Sequence, residues 1–457
     1  MIPIVTPAEM REVDAAALEP LDELIARAGW HVARAARSMM GGVYGRRVVA
    51  IAGPGNNGAD ARVAGQILRR WGVKVDVVSP DIAAVSSVDL VIDGAYGTGM
   101  NRPYDAPLVP DGVPVLAIDI PSGLHGLTGE SLGTPLAATR TVTFAALKPG
   151  LLLGAGPRLS GDVDVVDIGL DVSGAHGWQV GEADVGPRLP RRGRNDHKWK
   201  RAVYVVGGSS GMFGAPLLAS NAALRSGSGM VWCGLPGQQP PALASEVVFT
   251  VLPAQGWPTS VLADSARFGA LVVGCGMSPG GAADGASDVA ALIARSTKPM
   301  VVDGGGIRAL GPSPRLSERV VLTPHDAEFE SLTGERPGAD RFAAARAAAA
   351  MTGATVLLKG PVTIVATPDG TCLVSASGDE RLATAGTGDV LAGIIGSLLA
   401  GGAEPLWAAA MGAWIHGAAG QTQQQHGLVG SDLLGGLGAI TGRLLKAASK
   451  RDPPHVK

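Results

Sequence analysis

The sequence predicts an α/β protein of two tandem three-layer domains, each built on a mainly parallel sheet. Three observations carry this reading. The chain has 457 residues, and at roughly 150 residues per domain that is two or three domains, each able to bury a core. Short apolar runs alternate with helical patterns, the signature of parallel strands joined by crossover helices. Finally, the character changes between about 182 and 201, where prolines, glycines and a basic cluster (Arg191, Arg192, Arg194) read as a solvated linker. The expected division is a first domain over 1–185, a linker over 186–196 and a second domain over 197–450.

In the first domain, Thr6-Pro7-Ala8-Glu9 reads as a helix start, with Thr6 as N-cap and Glu9 returning a bond, followed by an alanine-rich helical stretch to about Met40. Strands are expected at 47–53, 73–79, 88–94, 114–120, 138–146 and 162–169, with a helix at 59–72 and helices on both sheet faces. In the second domain, strands are expected at 202–208, 230–235, 270–276, 299–306, 319–325 and 354–360. A hairpin turns at Pro368-Asp369-Gly370, and the apolar spacing over 389–400 predicts a buried helix.

Composition excludes several classes. Charged residues make up 17% of the chain and the net charge is −2, which argues against a nucleic-acid coat or a polybasic membrane anchor. Three widely spaced cysteines, Cys233, Cys275 and Cys372, form no zinc motif and no disulfide framework, which suits a reducing cytoplasm. The start carries no signal-peptide pattern, and no stretch of about 18 uncharged apolar residues exists. Glycine is unusual at 67 residues, about twice the ordinary share.

Those glycines cluster after apolar runs. Gly53-Pro54-Gly55-Asn56-Asn57-Gly58 follows a strand and opens a helix, and Asp76 lies where a ribose-binding acid would be expected, so taken alone the segment suggests a Rossmann dehydrogenase. The paired asparagines are less ordinary, since their amides can bond a ligand or cation in a turn. Asp93 and Asp119 each end an apolar strand, where a carboxylate is costly unless paired, hydrogen-bonded or near a metal. A cap accounts for either alone; together with Asn57 they point to an oxygen-lined cation and ligand site.

The segments GPGNNGAD, VIDGAYGTG and AIDIPSGL together resemble the N-terminal, Rossmann-like domain of NAD(P)HX epimerases. The resemblance implies interconversion of the R and S forms of hydrated NADH and NADPH, with a potassium ion held by Asn57, Asp93 and Ser122. It implies substrate contacts from Asn56, Asn57, Gly58, Ala59 and Asp60, from Gly97, Thr98, Gly99, Met100, Asn101, Arg102 and Pro103, and from a catalytic Asp119. Ala59 stands where the family commonly has a second glycine.

In the second domain, Ala385-Gly386-Thr387-Gly388-Asp389 runs into the buried helix, offering amide groups at a helix start as an anion hole and Asp389 as a base. The alternative is that Asp389 merely caps the helix. The sequence resembles ribokinase-like kinases and lacks the Lys-Ser/Thr end of a P-loop. The further segments VVGGSSGMFGAPLLAS, ALRSGSGMV, GCGMSP, LTPHDAE and LLKGPVTIVA occur in the order seen in NAD(P)HX dehydratases. That resemblance implies substrate contacts from Ala215, Gly276, His325 and a catalytic Asp389. It implies ADP, with Mg²⁺, bound by Lys359, Gly360, Pro361, Val362, Thr363, Gly386, Thr387 and Gly388. Asp326 and Gly305 depart from the family pattern. His416, Trp199 and Met212 read as structural.

The expected protein is a cytoplasmic homo-oligomer acting on NADHX, NADPHX and ADP, with no nucleic-acid or membrane partner. Two other readings remain open: a vitamin or sugar kinase fused to a nucleotide-binding Rossmann domain, and a non-catalytic first domain that senses nicotinamide nucleotides.

Overall fold

The computed structural model describes residues 1–240, 242, 245–277 and 283–451. The chain divides into two compact units, Ile2–Trp178 and Gln179–Lys457, the latter taking in Met1. The boundary falls ahead of the expected linker, and that segment opens with a helix, Glu182–Arg188, which packs on the helix Asp432–Arg451. Of the motif at 274–279, Ser278 and Pro279 lie outside the described residues.

In the first unit, Thr6 accepts from the Glu9 amide while Glu9 accepts from the Thr6 amide, the expected reciprocal cap of the helix Pro7–Ala15. The alanine-rich stretch is not one helix. It breaks after Ala15 and restarts at Leu21–Met39, because Pro20 has no N–H to continue the first helix.

Six parallel strands lie in the order Lys74–Val78, Arg47–Ala52, Leu90–Gly94, Val115–Ile118, Arg140–Phe144, Asp162–Val166. Alternate residues of Arg47–Ala52 serve two cores. Val48, Ala50 and Ala52 pack with the helices Leu21–Met39 and Asn56–Arg70. Val49 and Ile51 pack with Val85, Met100, Tyr104 and Ala138. That second layer is not the long helix expected on both faces: Pro103, Pro107, Pro110 and Pro114 interrupt it, and proline cannot sit inside a helix without removing a hydrogen bond.

In the second unit, strands run Cys372–Ser375, Thr363–Ala366, Thr355–Leu358, Val320–Leu322, Met300–Val302, Ala270–Val273, Val203–Val206, Val231–Pro236, Val248–Leu252. Thr363–Ala366 pairs antiparallel with Cys372–Ser375, as the expected hairpin, and also with Thr355–Leu358; the remaining pairings are parallel. The helix Thr387–Ala400, buried from Val390 onward, packs on Val203–Val206, Ala270–Val273 and Met300–Val302.

In each sheet the first long strand is flanked by later strands on both sides. The crevice at such a switch point, beyond the strands' carboxyl ends, is where an open parallel sheet takes its ligand.

Candidate active sites

In the first unit a cavity of about 700 Å³ opens at that switch point. Its wall is formed by Pro54–Asn57 and Asp60 after one strand, Ala95–Arg102 after the next, Asp119 after the third, and Phe144 and Lys148 after the fourth. The glycines that matched a dinucleotide fingerprint are needed for packing of the chain on itself. A Cβ on Gly53 would lie 1.8 Å from the Ala95 carbonyl, and one on Gly58 1.9 Å from the Gly53 carbonyl. Asp76, the expected ribose acid, sits exposed in mid-strand and does not line the cavity.

Asn57, Asp93 and Ser122 are brought together. Asp93 is 1% exposed; its carboxylate accepts from the Ser122 amide at 2.9 Å, the Ser122 hydroxyl at 2.6 Å and the Ala95 amide at 3.3 Å. The Asn57 amide donates to the carbonyls of Ile118 (2.7 Å) and Tyr96 (3.2 Å), and the Ser122 hydroxyl lies 3.1 Å from the same Tyr96 carbonyl. Burial pushes the Asp93 carboxyl up against these bonds, and no cationic side chain pairs with it among the described residues. Oxygen donors around a buried carboxylate with no cationic partner suit a hard cation.

Asp119 stands just beyond its strand with φ +63°, a left-handed backbone that directs its side chain to the cavity wall. Its Oδ1 receives Lys148 Nζ at 2.5 Å and Thr143 Oγ1 at 3.1 Å. Lys148 also donates to Thr143 Oγ1 and to the Phe144 carbonyl and is 1% exposed. Asp60, buried on the helix Asn56–Arg70, is pushed up to about 8, first by burial and then by the Asp119 charge. Of the remaining expected residues, Asn56 and Gly97–Arg102 line the cavity; Gly58, Ala59 and Pro103 do not.

In the second unit, strand ends again converge. Asp303 follows Met300–Val302; its Oδ1 accepts from Thr323 Oγ1 and from Lys359 Nζ, both at 2.7 Å. Glu328 Oε2 lies 3.7 Å from the same ammonium. Burial alone would lower Lys359, but Asp303 and Glu328 hold it above its usual value. Ligand atoms of Cys275, Asp303 and Asp389 lie within 4.8 Å of one another.

Asp389 is not the cap of its helix. Gly386 holds that position with φ +90°, and no side chain caps it. The Asp389 carboxyl instead meets the Cys275 thiol and is raised to about 6, by burial first and the Asp303 charge second, against the lowering effect of Cys275 and Lys359. Thr387 is tied to the Leu382 and Thr384 carbonyls, and a Cβ on Gly388 would lie 3.4 Å from Lys359 Nζ, so this turn and the lysine are neighbours. Ala215 and Gly276 abut, the Ala215 Cβ being 3.0 Å from where a Gly276 Cβ would stand.

His325 caps the helix Asp326–Thr333. Its Nδ1 accepts from the Ala327 and Glu328 amides, and Glu328 in turn accepts from the His325 amide. Gly360 and Pro361 are exposed and Val362 is buried. His416 is buried with Nε2 unpartnered, which lowers it to about 4. Trp199 packs against Trp232 and Phe268.

Sequence reasoning missed Lys148, Thr143, Cys275, Glu328 and Arg341. Arg341 donates to the Lys359 carbonyl and to Asp326. Only Glu328 left a local signal, the acidic residue three after a helix-capping position.

The comparisons agree in both units. A family described as NAD(P)H-hydrate dehydratase matches residues 203–438, and one described as YjeF-related protein N-terminus matches 21–84 and 79–150. The bifunctional NAD(P)H-hydrate repair enzyme Nnr of Mycobacterium leprae is 38% identical over 449 residues, covering 90% of this chain and 91% of that one. Its counterpart in Moorella thermoacetica is 33% identical over 510 residues, covering 94% and 95%. Among solved structures, the ADP/ATP-dependent NAD(P)H-hydrate dehydratase of Bacillus subtilis, co-crystallised with ATP and Mg²⁺, is 28% identical with a TM-score of 0.50, covering 59% of this chain and 97% of that one. A ribokinase-like superfamily protein of Enterococcus faecalis, at 20% identity and TM-score 0.53, shares the fold of the second unit. With relatives of this similarity aligned along nearly their whole length, the chain belongs to the family of bifunctional NAD(P)H-hydrate repair enzymes.

Proposed function

We propose that the first unit interconverts the R and S epimers of hydrated NADH and NADPH, and that the second restores NAD(P)H from the S epimer at the expense of ADP. The observation that carries the second half is the placement of Asp389: a half-buried carboxyl beside a glycine-flanked helix start and 4.8 Å or less from the donor atoms of Asp303 and Cys275. Hydroxide leaves poorly from ring carbon 6. Asp389 accepts the hydroxyl proton as the oxygen takes the terminal phosphoryl group of the nucleotide. The ring-nitrogen lone pair then expels phosphate as the C6–O bond breaks, giving an N1–C6 double bond; loss of a proton from C5 to solvent forms the C5–C6 double bond, returns the pair to nitrogen and restores the dihydropyridine.

The amides of Gly386–Gly388 and the Lys359 ammonium face the phosphates, while Lys359–Thr363 holds the nucleotide and Ala215, Gly276 and His325 hold the substrate. Asp303 and Asp389 are hard oxygen donors that would hold Mg²⁺ carried by the nucleotide, which would supply charge neutralisation to the moving group. In the first unit Asn57, Asp93 and Ser122 would hold K⁺, which would supply the positive charge that the buried Asp93 lacks. Asp119 is the acid–base group, and Asn56, Asn57, Asp60 and Gly97–Arg102 receive the substrate.

The test is chromatography of hydrated NADH epimers with the full chain, with and without ADP or ATP. The reading expects loss of both epimers only with donor present, inorganic phosphate as product, and epimer exchange without donor. A stable phosphorylated nucleotide would instead indicate a kinase, and an unchanged epimer ratio a first unit that only binds.

A further inference from the structure

Asp60 lines the first cavity, is 4% exposed, and makes no side-chain hydrogen bond or ion pair among the described residues. A buried carboxyl in that position is costly in its charged form. The groups facing it do not relieve the cost. Asp119 is committed to Lys148 and Thr143, Asp14 on the helix Pro7–Ala15 is itself raised by burial and by Asp119, and Arg62 on the helix Asn56–Arg70 donates to the Ala52 and Gly53 carbonyls. Burial and the Asp119 charge leave Asp60 protonated at neutral pH. Two carboxyls on one cavity wall, one in an ion pair and one holding a proton, form an acid and base pair.

We propose that Asp60 is the second catalytic carboxyl of the epimerase, giving its proton to the departing carbon-6 oxygen while Asp119, held by Lys148, takes the proton released when water adds back. The proposal rests on the reading that this cavity holds the hydrated ring. In the first step the C6–O bond breaks with its electron pair on oxygen, which takes the Asp60 proton and leaves as water. The ring-nitrogen lone pair forms the N1–C6 double bond. Water then adds to the other face of C6, the double-bond pair returns to nitrogen, and the proton goes to Asp119. Reversal, or exchange with solvent, resets the two carboxyls.

The test uses the full chain without nucleotide donor, so that the second unit is idle, in ¹⁸O-labelled water from pH 5 to 10. Wild-type protein is expected to interconvert the epimers faster than buffer alone, to place ¹⁸O at C6, and to slow above about pH 8. Asp60→Asn, which keeps the shape of the neutral acid, is expected to slow interconversion about 10²–10⁴-fold while ADP-dependent clearance of the S epimer persists. Asp60→Glu restores part of the rate with a shifted alkaline limb. Epimer exchange without label, or Asp60→Asn within tenfold of wild type with the same alkaline limb, overturns the assignment of Asp60 alone. A wild-type chain no faster than buffer overturns the epimerase reading with it.

Discussion

Lys148 Nζ and Asp119 Oδ1 lie 2.5 Å apart, with side chains 1% and 11% exposed. The pair joins residues 29 positions apart across two strand ends, and the rest of the first site is arranged around it. Breaking such a pair leaves a charge buried without compensation. Lys148→Met is therefore expected to destabilise the first unit by about 3–5 kcal/mol and to abolish epimerisation. Denaturant unfolding with the epimer assay on the same samples checks both.

For the second unit, Asp389→Asn should lower ADP-dependent recovery of NADH about 10²–10⁴-fold, with the epimer assay unaffected. Because Asp389 is raised to about 6 and acts deprotonated, kcat/KM should rise with pH through that value. The Cys275 hydrogen bond lowers Asp389, so Cys275→Ala should move this limb to higher pH. A limb that stays in place in Cys275→Ala counts against the contact.

Asp60 also predicts how stability responds to pH. Its folded value, about 8, exceeds the ordinary aspartate value of 3.8, so between those limits the folded chain binds more protons than the unfolded one. Stability should therefore fall as pH rises through this window, by up to about 1.4 kcal/mol per pH unit from this group. Asp60→Asn should flatten that dependence, as read by urea unfolding at a series of pH values.

Asp93 has no cationic side-chain partner among the described residues, so K⁺ should stabilise the folded chain by mass action. Replacing K⁺ with tetramethylammonium is expected to lower the thermal midpoint. Asp93→Asn should remove the difference between the two salts, and calorimetry decides.

The parallel strands were legible because buried strands are apolar runs, and the edge that carries the candidate sites was legible because Asp93, Asp119 and Lys359 each stand at or just beyond such a run. The turn before Asp389 was legible for the same reason. What escaped were partnerships made only by folding, Lys148 with Asp119 and Cys275 with Asp389, which leave no spacing to read. The three-glycine motif misled toward Asp76 because Gly53 and Gly58 are required by strand and helix backbones in near contact, a demand unrelated to a dinucleotide. The edge strand Val248–Leu252 went unnamed because its residues are mostly only partly buried and its apolar run is short.

The backbone of Asp119, at φ +63°, has a consequence for how this protein balances durability against turnover. L-residues with a side chain avoid that conformation and glycine does not, so holding a carboxyl there costs on the order of 1 kcal/mol. A glycine at 119 would relax the main chain but would leave Lys148 buried without its counter-ion. Asp119→Gly combined with Lys148→Met should therefore give a chain that withstands heat better than Lys148→Met alone, yet turns over no epimer.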